Sequence, residues 1–395
     1  MPEFRPLTDQ KKEIITKQVI IIGSGISGLS CAFHLKKLGL SDFTILGSSS
    51  LHSATSRSPG FFTGGFWGNF TRLSHAFGLE AAKELWTFGH HAYASVKDYC
   101  ESTKIEYHLG RRLRFILSDE ELKESNTAVS QLGSQGFSSR LLGPPSGLTA
   151  ETLMVQDDGE RSGCLSTKQL LKSLEAGCRD HLVQTQVSGI GQNADQTFDI
   201  KTDSETFYRS DLIVLACHMG AVSLLPELKP ILIPVADQWL EVQFSAMTHA
   251  SAFSEQRGTL ISCNHGYDWA LNLGNHRFAL GGGRHKRKFA GIGDSSPSYH
   301  GAIGEQSAAL FAKLLGFSKY QLIGNHAAFA EIYPCDELPL IGPLPGNERI
   351  LMASGFMNQG LSHGFFAGKC LAELLYTGQS SDLPRRLWPE RLRSL

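Results

Sequence analysis

The chain has 395 residues, 41% hydrophobic and 19% charged, enough apolar material to bury two cores. Lys and Arg total 37 against 38 for Asp and Glu, a formal net charge of −1, so no overall field draws the chain to nucleic acid or to an anionic membrane. No uncharged apolar run approaches the roughly 20 residues that span a bilayer.

In chain order, residues 1–17 carry Lys11, Lys12 and Glu13 and read as a polar lead-in without a signal-peptide core. Val19 to Ile22 is a buried-strand run that ends in G-x-G-x-x-G at Gly23, Gly25 and Gly28, and Leu29 to Leu38 follows as a helix. Gly23 allows the turn, Gly25 clears the backbone for a phosphate, and Gly28 lets helix and strand close together. The amides of Ile26 and Ser27 then begin a helix whose positive end suits the diphosphate of a dinucleotide. The competing use of such glycines is a turn that serves packing alone. Phe43 to Leu46 is a second strand.

Residues 68–102 read as helical, Arg112 to Leu117 as a strand and Asp119 to Leu132 as a helix. Gly143-Pro144-Pro145-Ser146-Gly147 breaks regular structure and marks a crossing between domains. Ser166 and Gln169 have capping-box spacing and open a helix through about Cys178. Strands follow at Phe198–Thr202 and Asp211–Ala216, the second apolar throughout as for a strand covered on both faces. From Gln238 to about Leu280 the alternation suits an antiparallel sheet, on which a helix over 301–316 packs. Arg284-His285-Lys286-Arg287-Lys288 is either a solvated turn or a site for an anionic substrate or RNA backbone. The eight cysteines show no C-x-x-C spacing, which points to reduced thiols and a cytoplasmic location, and the 15 histidines form no H-E-x-x-H pattern, so no metal is expected.

Near the other end, Leu338 to Pro343, a strand at Arg349 to Ala353, and Gly355-Phe356-Met357-Asn358-Gln359-Gly360-Leu361 opening a helix resemble the C-terminal signature of the D-amino acid oxidase superfamily of FAD enzymes. The likeness extends to Ala54–Gly60, to Leu215-Ala216-Cys217-His218, and to Arg277–Arg284. Its flavour is that of the branch containing gamma-glutamylputrescine oxidoreductase and related amine oxidases, with the oxidase half of a tRNA wobble-uridine modification enzyme more distant. The resemblance implies an α/β fold: a Rossmann-like FAD-binding domain of the glutathione reductase type 2 kind at 18–65, 150–236 and 325–395, with an inserted α+β antiparallel-sheet substrate domain at 66–149 and 237–324. It also implies oxidation of the C–N bond of a small-molecule amine or amino acid by hydride transfer to flavin N5. Imine hydrolysis follows, with oxygen or another electron acceptor as partner.

On that resemblance the cofactor-binding residues are Gly23, Gly25, Ile26, Ser27, Gly28, Ser48, Ser56, Arg57, Gly60, Gly355, Asn358, Gln359, Gly360 and Leu361. Asn358 to Leu361 form a helix start aimed at the flavin N1 and C2-carbonyl edge, where reduction builds negative charge. Arg57 would reach the cofactor phosphate or flavin edge. Phe61, Phe62, Phe66 and Trp67 either wall a pocket or are core. His265, Tyr267, Arg284 and Gln359 are the candidate catalytic residues. His52 and Cys335 lie near places where relatives attach flavin covalently but outside the attachment motif, so FAD held noncovalently is expected.

Two departures bear on function. Gly47 stands where the second strand should end in an acid that accepts the ribose hydroxyls, a loss of about 1.5–3 kcal/mol, and Ser58-Pro59 replaces the usual Asn-Gly or Asn-Ala. They keep open a flavin-binding protein or partner subunit without turnover. A third reading, flavin-dependent trimming of a modified tRNA uridine, rests only on the basic run and the distant resemblance.

Overall fold

A computed structural model describes residues 14–144, 151–204, 206–247, 255–296, 298–327 and 331–392. The chain divides into two compact units, one of Met1–Arg57, Thr167–Pro234 and Ile332–Leu395, the other of Ser58–Ser166 and Val235–Glu331. The first change of unit thus comes eight residues before the expected 65/66 boundary. The glycine and proline break at 143–147 lies within the second unit instead of at a crossing, and its Pro145–Gly147 fall outside the described residues.

The first unit is built on an 8-stranded sheet. Its elements are β1 (Ile14–Ile22), α1 (Ile26–Leu38), β2 (Phe43–Gly47), α2 (Thr167–Gly177), β3 (Leu182–Gln184), β4 (Val187–Gln192), β5 (Phe198–Thr202), β6 (Phe207–Leu215), β7 (Leu340–Leu344), β8 (Asn347–Ser354) and α3 (Gly360–Thr377). β3, β2, β1, β6 and β8 lie side by side and parallel. β4 and β5 extend the sheet antiparallel beside the amino half of β6, and β7 pairs antiparallel with β8. Parallel strands covered on both faces explain the unbroken apolar runs: Ile20 and Ile21, Ile213 and Val214 are fully buried.

β1 starts four residues earlier than the lead-in reading allows. Ile14 to Lys17 pair with Phe207 to Ser210, so these residues belong to the sheet and not to a polar arm. Their exposure hides the strand from hydrophobic patterning.

The second unit carries a second 8-stranded sheet in the order Phe317–Ala327, Gln238–Met247, Arg277–Gly282, Asp268–Gly274, Leu260–Cys263, Arg112–Ile116, Met154–Asp157 and Arg140–Leu142. Leu240, Val242 and Phe244 point to one face and join Phe278 and Leu280 in a core closed by Ala308 and Phe311 of the Gly301–Leu314 helix. The helix expected over 68–102 is two, Phe70–Phe77 and Leu79–Thr103, because Gly78 at φ +86° and ψ 160° turns the chain between them. Among the described residues, no helix is long and apolar enough to cross a membrane.

Candidate cofactor and active site

Parallel strand direction fixes where the first unit can work. The chain leaves β2, β1, β6 and β8 at the same edge of the sheet, in that spatial order, through Ser48, Gly23, Ala216 and Gly355 respectively. α1 and α3 both begin at that edge, so the positive ends of two helix dipoles meet where open α/β sheets bind their ligands.

The glycine loop is over-determined. Gly23 has φ +118°, and a Cβ there would sit 2.3 Å from the Ala216 carbonyl oxygen. A Cβ at Gly28 would lie 1.9 Å from the Gly23 oxygen. At Gly25 the nearest atom to an added Cβ is 3.8 Å away, so packing does not demand a glycine, and the bare backbone leaves room for the close approach of a phosphate. This contrast is the fit test for a dinucleotide: two glycines serve the turn and one serves whatever rests on it. The Ile26 amide meets Thr55 Oγ1 at 3.4 Å, bringing the Thr55–Arg57 turn beside the start of α1.

The missing acid at Gly47 has a structural counterpart that the sequence does not disclose. A Cβ at Gly47 would lie 2.6 Å from Ser24 Oγ and 2.7 Å from the Ser24 nitrogen. Ser24 is buried and its hydroxyl donates to the Ser48 carbonyl oxygen, tying the glycine loop across to the end of β2. The strand end therefore has no room for any side chain, acidic or not. Nearby, Glu175 of α2 accepts from the Ser50 amide at 3.3 Å. Ser48 is exposed, and Ser56 Oγ donates to the carbonyls of Leu51 and Ser53 at 2.7 and 2.8 Å, which makes Ser56 a brace of its own loop. Arg57 is exposed at the end of that turn, while Gly60 belongs to the second unit, where its oxygen accepts from the Leu165 amide at 3.0 Å. His52 and Cys335 are both exposed.

At the other end, Gly355 at φ +75° and Met357 at φ +53° bend the chain out of β8. Asn358 Nδ2 lies 3.4 Å from Tyr333 Oη. The Gln359 backbone amide is spent on the Phe356 oxygen at 3.0 Å, within the 3-10 turn Met357–Gln359 that leads into α3. α3 is held hard against α1. A Cβ at Gly364 would meet Ser27 Oγ at 2.9 Å, one at Gly368 would meet the Cys31 nitrogen and Ser27 oxygen at 2.6 Å, and Ser30 Oγ donates to the Phe365 oxygen at 2.6 Å.

The four candidate catalytic residues divide between the units: Gln359 lies in the first, His265, Tyr267 and Arg284 in the second. His265 is committed elsewhere than to a substrate amine. Its Nδ1 lies 2.7 Å from Arg72 Nη2 and 3.3 Å from Glu124 Oε2, and its amide donates to Glu121 Oε1 at 2.6 Å. Burial raises the Glu124 carboxyl, but Arg72, Arg114 and His265 outweigh it and hold its pKa below the usual value. Arg284 stacks on Tyr267, its Cζ 4.9 Å from the ring centroid. Of the basic run, Arg287 donates to Gln238 Oε1 at 2.6 Å and to the Ser298 oxygen at 3.3 Å, while His285, Lys286 and Lys288 are exposed. Phe61, Phe62 and Phe66 are buried in the second unit, and Trp67 packs on Phe61 at 5.9 Å between centroids.

A parallel sheet with a diphosphate-type glycine loop and a second helix start at the same edge defines a dinucleotide-binding scaffold. A model of the FAD dependent oxidoreductase family (DAO) matches residues 18–374, and the chain belongs to that family. Solved structures with the same fold include iminodiacetate oxidase from Chelativorans sp. BNC1, with 17% identity, TM-score 0.71, and coverage of 94% of this chain and 99% of that one. L-proline dehydrogenase from P. horikoshii has 16% identity and TM-score 0.73, covering 97% and 99%. Glycine oxidase from Geobacillus kaustophilus has 14% identity and TM-score 0.71, covering 95% and 99%. Identities this low establish shared architecture and not shared substrate. No curated protein matches the sequence.

Proposed function

We propose that the protein oxidises the C–N bond of a small amine or amino acid with noncovalently held FAD. The observation that carries the reading is the arrival of the Gly23–Gly28 loop and the Gly355–Leu361 turn, more than 300 residues apart, at one edge of one sheet. FAD, when bound, would supply the hydride acceptor for oxidation of the carbon beside the amine nitrogen, and hydrolysis of the resulting imine would give a carbonyl compound and a smaller amine or ammonia. The chain's own part is electrostatic. The amides around Gly25 and the start of α1 hold the diphosphate, and the first-turn amides of α3 at Gly360 and Leu361 offer donors to negative charge that develops on reduction. Tyr267 and Arg284 supply an aromatic face and a cation to orient an anionic or amine-bearing substrate. The electron acceptor that completes turnover is oxygen or a partner protein. The structures of iminodiacetate oxidase, L-proline dehydrogenase and glycine oxidase support the substrate class without choosing within it.

A second reading, a flavin-binding protein without turnover, draws on the Ser24 and Gly47 arrangement, which leaves no room at the strand end for the acid that would grip the ribose. Anaerobic mixing of the purified yellow protein with secondary amines, polyamine conjugates and amino acids decides between them. Bleaching of the yellow flavin colour by any of these supports catalysis, and a yellow protein that none of them bleaches supports binding alone.

A further inference from the structure

Between the loop that suits a diphosphate and the turn that opens α3 stands a residue that neither motif includes. His218 is the third residue beyond β6, and β6 lies between β1 and β8 in the sheet. It is held at φ +53°, the left-handed region that a glycine would occupy without strain. Its carbonyl accepts from the Ala221 amide at 3.2 Å, so the strained conformation is locked by the turn that follows. A residue with a Cβ is strained in that backbone conformation, and residues so held concentrate at ligand sites.

The imidazole is partly withdrawn from solvent. Desolvation lowers its pKa to about 4, so it is neutral at pH 7, with one N–H to give and one nitrogen to accept. It is nonetheless not sealed: the residue is only part-buried, and among the described residues no hydrogen bond or ion pair engages the ring. The same strand end is fixed relative to the glycine loop. The Ala216 amide donates to the Ile22 oxygen at 2.8 Å, and the Ala216 carbonyl is the atom that forbids a side chain at Gly23. A polar side chain on a left-handed residue, one position beyond the Ala216–Cys217 backbone that abuts Gly23, points to a ligand partner.

Building on the FAD reading, we propose that His218 is a cofactor-binding residue whose imidazole hydrogen-bonds FAD where its diphosphate joins its ribityl chain. Such a contact grips the middle of the dinucleotide and offsets the grip lost at the strand end by Gly47.

The test is titration of FAD-free protein with FAD, followed by quenching of flavin fluorescence, alongside thermal melting without FAD. His218→Gly is expected to melt at the same or a higher temperature, since glycine relieves the left-handed strain, and to bind FAD about tenfold more weakly, the size of one lost hydrogen bond. His218→Asn, which tolerates this backbone and keeps a side-chain donor, is expected to recover part of that loss. Parallel titration with ADP locates the contact: a loss shared by ADP puts it on the diphosphate, and a loss seen with FAD alone puts it on the ribityl chain. Unchanged FAD affinity in His218→Gly, with wild-type binding intact, overturns the inference and leaves the FAD reading standing. Wild-type protein that shows no saturable quenching overturns both.

Discussion

Gly25 and Gly28 are equivalent letters in a motif, yet the fold uses them differently. Gly28 is a packing glycine, with the Gly23 oxygen 1.9 Å from where its Cβ would be, whereas Gly25 meets no atom closer than 3.8 Å. Gly28→Ala is therefore expected to lower chemical-denaturation stability by about 1–3 kcal/mol with or without cofactor. Gly25→Val is expected to leave the melting temperature of FAD-free protein within about 2 °C of wild type while weakening FAD binding at least about tenfold. Equal loss of stability in both variants would remove the argument that Gly25 is kept for a ligand. At Gly47 the residue-scale geometry makes an unusual forecast. Restoring the acid as Gly47→Glu places a Cβ 2.7 Å from the Ser24 nitrogen, so the variant is expected to lose stability and not to gain FAD affinity. A tighter flavin complex in that variant would show that the strand end can open after all.

At the scale of elements, two contacts carry more than their sequence suggests. Gly364 and Gly368, one turn apart, bring the backbones of α3 and α1 into contact, so both dipole ends are positioned by one helix pair. The other is Arg391, whose guanidinium pairs with both oxygens of Asp336 at 2.6 and 3.0 Å and donates to the carbonyls of Leu338 and Pro339. A planar fork is needed for that set, so Arg391→Ala is expected to cost about 1.5–3 kcal/mol in urea unfolding and Arg391→Lys to rescue little of it. Neither contact was legible in the sequence, since each joins segments through space without any local pattern. The strands and helices around the glycine loop were legible, because Ile20 to Ile22 and the three glycines carry their reasons within ten residues. The opening of β1 was not, because Ile14 to Lys17 become a strand only by pairing with Phe207 to Ser210. The helix break at Gly78 was missed for the opposite reason: an isolated glycine inside a long helical pattern is tolerated in many helices, and only its φ of +86° shows that here it ends one. The contacts of Ser24 and His265 were hidden for one reason, since sequence gives a side chain's chemistry but not which neighbour consumes it.

For the whole molecule, acid stability follows from one partly buried, desolvated histidine in each unit. Desolvation lowers the pKa of His34 to about 4, with its Nδ1 2.8 Å from the Ser30 oxygen, and that of His90 to about 3. Both are neutral when folded, and the unfolded chain binds their protons from about pH 6.5 downward. The stability they contribute is thus complete above that pH and is lost as pH falls toward the folded values, by at most about 1.4 kcal/mol per pH unit for each histidine. Urea midpoints measured at pH 7, 5.5 and 4.5 are expected to fall along this course, and less steeply in His34→Gln; an equal slope in the variant would exclude His34 as a contributor. The close seating of α3 on α1 has one more consequence, for the order of events as the protein is made. A ribosome releases the Gly23–Gly28 cradle early and the Gly360–Thr377 helix that flanks it some 330 residues later, since Ser30 and Phe365 are 335 positions apart. Loading of the cofactor is on this ground a closing act of biosynthesis, and nascent chains halted before residue 360 should emerge colourless even when flavin is plentiful.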